Sequence, residues 1–134
     1  MLSPGEDQVE YVLSNMIEMA CRQPNQRISP WQVESWAGGS TSDQFFNLIG
    51  LKVAERYAAR TLSYDAADAI MNDLWATWLE GIDSRDSEVP VLFYDIYLAF
   101  DAGEGLRSPG EDPVTKITDP WIASILSQQR RQPN

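Results

Sequence analysis

At Ser3-Pro4, Ser29-Pro30, Ser42-Asp43, Ser63 and Asp119-Pro120 the chain places a helix-capping residue directly before a run whose apolar positions recur every three or four residues. A Ser or Asp side chain accepts a hydrogen bond from the free N–H groups of a first helical turn, and Pro suits the first helical position. That punctuation constrains the fold more than any other feature. It predicts one helix per signal and leaves little chain for strands.

The first helix opens at Ser3-Pro4-Gly5-Glu6 as a capping box. Val9, Val12, Leu13, Met16, Ile17, Met19 and Ala20 form its apolar arc, and Pro24-Asn25 ends it. A short helix follows Ser29 up to Ala37 and breaks at Gly38-Gly39, with Trp31 and Trp36 expected to fill the seam beside it. The third runs from Ser42 or Asp43 to about Thr61. It is apolar on more than one face, through Phe46, Ile49, Val53 and Tyr57 and through Leu48, Leu51 and Leu62, which predicts a central position. The fourth, Tyr64 to Glu80, buries Ile70, Met71, Leu74, Trp75 and Trp78 and turns Asp65, Asp68, Asn72 and Asp73 away. Glu88 to Glu104 is rich in β-formers, but its length, with Pro90 near the start and Gly103 near the end, favours a helix. Leu106 to Asp119 reads as a proline-rich loop. Asp119 caps a last short helix to about Ser127, and 128–134 is a frayed tail. The expected architecture over residues 1–134 is one all-α domain, an irregular bundle of five to six helices. Ser-Pro-Gly-Glu-Asp recurs at 3–7 and 108–112, and Arg-Gln-Pro-Asn at 22–25 and 131–134; the residues between do not match, so both are reused turn chemistry.

A hydrophobic fraction of 43% supports a core, and 20 acidic against 10 basic residues give a net charge of -10. That balance argues against nucleic-acid or anionic-membrane partners and favours a basic one. There is no His and a single Cys, so Ser-His-Asp and Cys-His catalysis, an intrachain disulfide and a thiolate zinc site are excluded. Cys21 is expected on the apolar side of its helix or at its edge, in a packing role. No glycine-rich phosphate loop, G-x-S-x-G or EF-hand pattern occurs. No cofactor is implied, and the chain is read as a non-enzyme. Met1 to Asp7 lacks the order of a secretory signal, and no apolar run spans a membrane, so the expected location is cytoplasmic.

Asp65, Asp68 and Asn72 share a helical face at a spacing that could hold Mg²⁺, as in all-α nucleotide pyrophosphatases. That chemistry needs a second acidic helix, and the plain alternative is a solvated face. Asp95 interrupts an apolar run. A catalytic carboxylate is one reading and a structural partner for Arg56 or Arg60 the preferred one. Tyr94, Tyr97, Asp101 and Glu104 fall together, opposite Leu92, Ile96 and Ala99. Rigid tyrosines beside carboxylates suit an interface for a basic protein, which Asp83, Asp86 and Glu88 would extend; an ordinary core boundary is the alternative. Lys52, Arg56 and Arg60 form a stripe at four-residue steps that would bind an anion or, as preferred, pair internally with acidic helices.

Residues 89–104, Val-Pro-Val-Leu-Phe-Tyr-Asp-Ile-Tyr-Leu-Ala-Phe-Asp-Ala-Gly-Glu, with Asp112-Pro113-Val114 and Asp119-Pro120-Trp121, resemble the small acidic helical immunity proteins of bacterial polymorphic and contact-dependent toxin systems. The resemblance covers about the C-terminal third and assigns no individual residue. It implies a bacterial inhibitor that binds and blocks one basic toxin, occluding its active site. The competing readings are a metal-dependent nucleotide hydrolase using Asp65 and Asp68, a self-associating scaffold or chaperone, and, ranked below these, a DNA mimic.

Overall fold

A computed structural model describes residues 6–22, 28–38, 41–81, 89–104 and 112–131. It contains α1 (Glu6–Arg22), α2 (Pro30–Ala37), α3 (Asp43–Ala58), α4 (Tyr64–Glu80), α5 (Val91–Ala102), a π-helical turn (Val114–Thr118) and α6 (Asp119–Arg131). The described residues hold six α-helices and no strand, so the all-α irregular bundle is observed.

Three expected caps form. Ser29 accepts from the Gln32 N–H while Gln32 bonds back to the Ser29 backbone, a full capping box. The hydroxyls of Ser42 and Ser63 accept from the N–H groups of Phe45 and Ala66. Gly38 closes α2 at φ 63°, a left-handed conformation that glycine adopts without strain. Ser3 lies outside the described residues.

Helix α3 is central, as its two apolar faces require. It packs against α1, α4, α5 and α6, burying Phe45, Phe46, Ile49, Val53, Ala54 and Tyr57. At Gly50 an added Cβ would lie 3.4 Å from the Phe93 ring, so α5 comes close to α3 at this point. Asn47 of α3 also completes the start of α5: its side-chain oxygen accepts from the Phe93 N–H at 2.9 Å, where Pro90 offers no side-chain cap. One continuous core results, with Phe45, Phe46, Phe93 and Phe100 among its largest fully buried side chains.

The structure corrects several expectations. The last helix extends to Arg131, past the predicted end at Ser127, so Gln128 to Arg131 is helical and not a frayed tail. Asp119 does not cap it, because a π-helical turn joins α6 without a break. The capping role falls to Asp112, whose carboxylate accepts from the Val114 N–H and the Thr115 hydroxyl, each at 3.0 Å. Part of the expected proline-rich loop is therefore helical. The π turn contains Lys116, whose carbonyl the Pro120 ring would crowd in a regular α-helix, and its wider hydrogen-bond spacing relieves that crowding. Trp31 is 74% exposed and fills no seam, whereas Trp36 packs against the core. Cys21 is exposed, not packed.

Asp73, expected on the solvated face of α4, is buried; its carboxylate accepts the Ile28 N–H at 3.1 Å and ties the chain ahead of α2 to α4. Asp95 has no ion pair with Arg56 or Arg60. It accepts from the Trp121 indole N–H at 3.0 Å and joins α5 to α6. The basic stripe does pair internally. Lys52 contacts Glu6 at 2.9 Å and Glu10 at 3.6 Å, Arg56 binds Glu10, and Arg60 lies 3.6 Å from Asp119. The stripe thus fastens α3 to α1 and α6. Among the described residues, no helix is long and apolar enough to cross a membrane.

Candidate functional site on the α4–α5 face

The sequence places aromatic residues on α4 at Trp75 and Trp78 and on α5 at Tyr94 and Tyr97, and packing of the two helices merges them. Trp78 is buried. Trp75 stacks on it with centroids 5.5 Å apart and planes 9° apart, then on Tyr97 at 4.9 Å and 19°. Tyr94 lies 5.3 Å from Trp75 and 6.2 Å from Tyr97. The rings run from the core outward, and Trp75, Tyr94 and Tyr97 are all half-buried. Such stacked pairs contribute about 0.5–1.5 kcal/mol each beyond the area they bury, so the outer rings are held in place.

A carboxylate cluster adjoins the rings. Asp101 and Glu104, exposed at the end of α5, act on half-buried Asp68 of α4, with Asp65 adding to the field. Burial first, then the hydrogen bond with Glu104 and the charges of Glu104, Asp101 and Asp65, push the Asp68 carboxyl up to about 8. The Asp68–Glu104 pair therefore holds a proton well above the usual carboxylate range. Asn72 donates to Glu104 at 3.2 Å. Burial and the charges of Asp101, Glu104 and Asp68 also raise the Tyr97 phenol, so its hydroxyl lies in the field of the same acids. Tyr64 is raised by burial and by Asp68 and Glu104, and its hydroxyl donates to the Phe100 carbonyl at 2.6 Å.

The α5 arc of Tyr94, Tyr97, Asp101 and Glu104 is thus one surface. Asp68 and Asn72, named from sequence for a different purpose, join it from α4. Asp65 acts on Asp68 only through its charge. Asp83, Asp86 and Glu88 lie outside the described residues. Trp75, which helical spacing places on the apolar face of α4, is a further member of this surface. Its position on the α4 apolar face gave no sign that the tyrosines of α5 would extend its stack. The second acidic helix that a metal site would need is α5, yet among the described residues no three Asp, Glu or Cys side chains form a group that could hold a metal ion.

A cleft elsewhere is lined by Tyr57, Arg60, Ser63, Tyr64, Thr115 and Asp119. Its polar groups are already engaged: the Tyr57 hydroxyl donates to Asp119, Arg60 pairs with Asp119 and stands 5.5 Å over the Tyr57 ring, and Thr115 donates to Asp112. The tyrosine–carboxylate surface is the better candidate. No protein-family model matches the chain, and no curated protein or solved structure matches it.

Proposed function

We propose that the chain is a binding protein that docks a basic protein partner on its α4–α5 face, acting as an inhibitor of the immunity type. The observation that carries this reading is the junction of a half-exposed ring stack, Trp75–Tyr97–Tyr94, with the carboxylates of Asp101 and Glu104 and the carboxyl of Asp68. Aromatic anchors supply contact area at little entropic loss, and a carboxylate rim attracts cationic side chains. The net charge of -10 adds long-range steering. An inhibitor of a basic toxin requires these properties and no catalytic group of its own.

The test compares two charge reversals. Asp101→Lys changes the proposed face and Glu34→Lys an exposed site on α2. A basic protein captured from the native host by the wild type should be lost by Asp101→Lys and kept by Glu34→Lys. Retention by both variants would contradict the assignment of the face, and loss by Glu34→Lys alone would move it to α2.

The facing of α4 and α5 acids also favours a second reading, a metal-dependent nucleotide hydrolase using Asp65 and Asp68. It requires a thermal shift with Mg²⁺ or Mn²⁺ and nucleotide turnover abolished by Asp68→Ala. Absence of both removes it.

A further inference from the structure

The geometry of the α4–α5 face selects among cations. Three of its ring pairs are stacked, at 9° for Trp75 and Trp78, 19° for Trp75 and Tyr97, and 19° for Tyr94 and Tyr97, while Tyr94 is tilted by 31° to Trp75. Buried Trp78 fixes the inner end of the stack. The hydroxyl edge of Tyr97 sits in the field of Asp101, Glu104 and Asp68. A ligand that matches both features presents a flat face to the rings and in-plane donors to the acids. A guanidinium has that shape, whereas an ammonium is a compact point charge that cannot stack. We propose that this face seats an arginine side chain of the basic partner, its guanidinium lying on the Trp75–Tyr97 stack and its N–H edge on Asp101 and Asp68. The proposal rests on the reading of this face as the docking surface.

A proton readout follows from the groups around Asp68. Asp65 and Tyr64 face it from α4, and Asp101 and Glu104 from α5, where Tyr97 shares their field. On the α3 side, Lys52 and Arg56 are engaged by Glu6 and Glu10 of α1. An arriving guanidinium supplies the positive charge that the Asp68 proton supplies in the free protein, so docking expels that proton. The bound state holds fewer protons than the free state, and affinity therefore rises with pH until Asp68 is ionised in the free protein.

The experiment is calorimetric titration of the full chain with hexa-arginine, hexa-lysine and hexa-citrulline peptides, at pH 7, in two buffers of different ionisation enthalpy. Hexa-arginine should bind about tenfold tighter than hexa-lysine, reflecting stacking and in-plane bonds that an ammonium lacks. Hexa-citrulline should not bind. The heat with hexa-arginine should depend on the buffer, and that dependence should vanish in Asp68→Asn. Tyr97→Leu should erase the arginine preference and Tyr97→Phe should restore it, which separates a lost ring from a lost fold. Equal affinity for hexa-arginine and hexa-lysine, both abolished by Asp101→Lys, would overturn the arginine proposal and leave the docking surface standing. No binding of either cationic peptide would overturn both.

Discussion

Arg60 holds its backbone at φ 65°, a left-handed conformation that crowds a side chain's Cβ and that glycine tolerates. Its compensation is a pair with Asp119 at 3.6 Å and a place over the Tyr57 ring, but the side chain is 68% exposed, where such pairs contribute about 0–1 kcal/mol. Arg60→Ala loses the pair and keeps the strain. Arg60→Gly loses the pair and relieves the strain, so it should be about 1 kcal/mol more stable than Arg60→Ala in urea melts. Equal stabilities would mean that the turn is not strained. Asp68 carries a pH dependence of unusual sign for a carboxyl. Its pKa, ordinarily 3.8, is pushed up to about 8 in the folded protein, so between those limits the native state holds a proton that the unfolded chain releases. Stability from this group falls as pH rises from about 4 towards 8. Asp68→Asn, which can still donate to Glu104, should melt above the wild type at pH 8.5 and level with it at pH 4.5. An equal offset at both pH values would contradict the assignment.

Among the elements, the end of α5 is closely packed. A Cβ added at Gly103 would meet the Thr118 hydroxyl at 2.6 Å and the Tyr64 hydroxyl at 2.7 Å, both already bonded, to the carbonyls of Ala99 and Phe100. Gly103→Ala should therefore destabilise by about 1–3 kcal/mol, as overpacking does, readable as a lowered denaturation midpoint. It should also disturb the adjacent acid cluster. An unchanged midpoint would show that the π-helical turn yields instead. The helices that were legible in the sequence are those whose signals are local. The Ser29, Ser42 and Ser63 caps and the spacing behind them set α2, α3 and α4, and α4 spans Tyr64 to Glu80 as expected. The start of the last helix was not legible, because Asp112-Pro113 and Asp119-Pro120 are equivalent cap signals along the chain. What separates them is tertiary: Tyr57 and Arg60 claim the Asp119 carboxylate and leave capping to Asp112. The burial of Asp73 was not legible for a related reason. A helical wheel recognises one buried face, whereas α4 packs against α1, α2, α3 and α5. The α5 half of the candidate surface was legible from spacing within one helix. Its junction with Asp68 and Trp75 depends on the register between two helices, which no local pattern encodes.

At the scale of the whole molecule, the cations of α3 and of the turn after it are engaged with α1 and α6, while carboxyl groups and aromatic rings gather where α4 meets α5. With a net charge of -10, a basic partner should be steered towards the protein before contact. Its association rate should then fall by about an order of magnitude or more between low and physiological salt, with a weaker effect on dissociation, as stopped-flow measurements would record. A rate indifferent to salt would remove steering and leave the anchored contact. In the proposed function, the Trp75–Tyr94–Tyr97 stack and the acids beside it form the surface on which a cationic partner lands. Its most direct test is chemical-shift mapping of the isotope-labelled chain titrated with hexa-arginine. The Trp75 indole and the amides of Asp68, Tyr94, Tyr97 and Asp101 should move first and furthest, while those around exposed Trp31 and Glu34 stay in place. Shifts centred on α1 and α2, with the α4–α5 face silent, would contradict it.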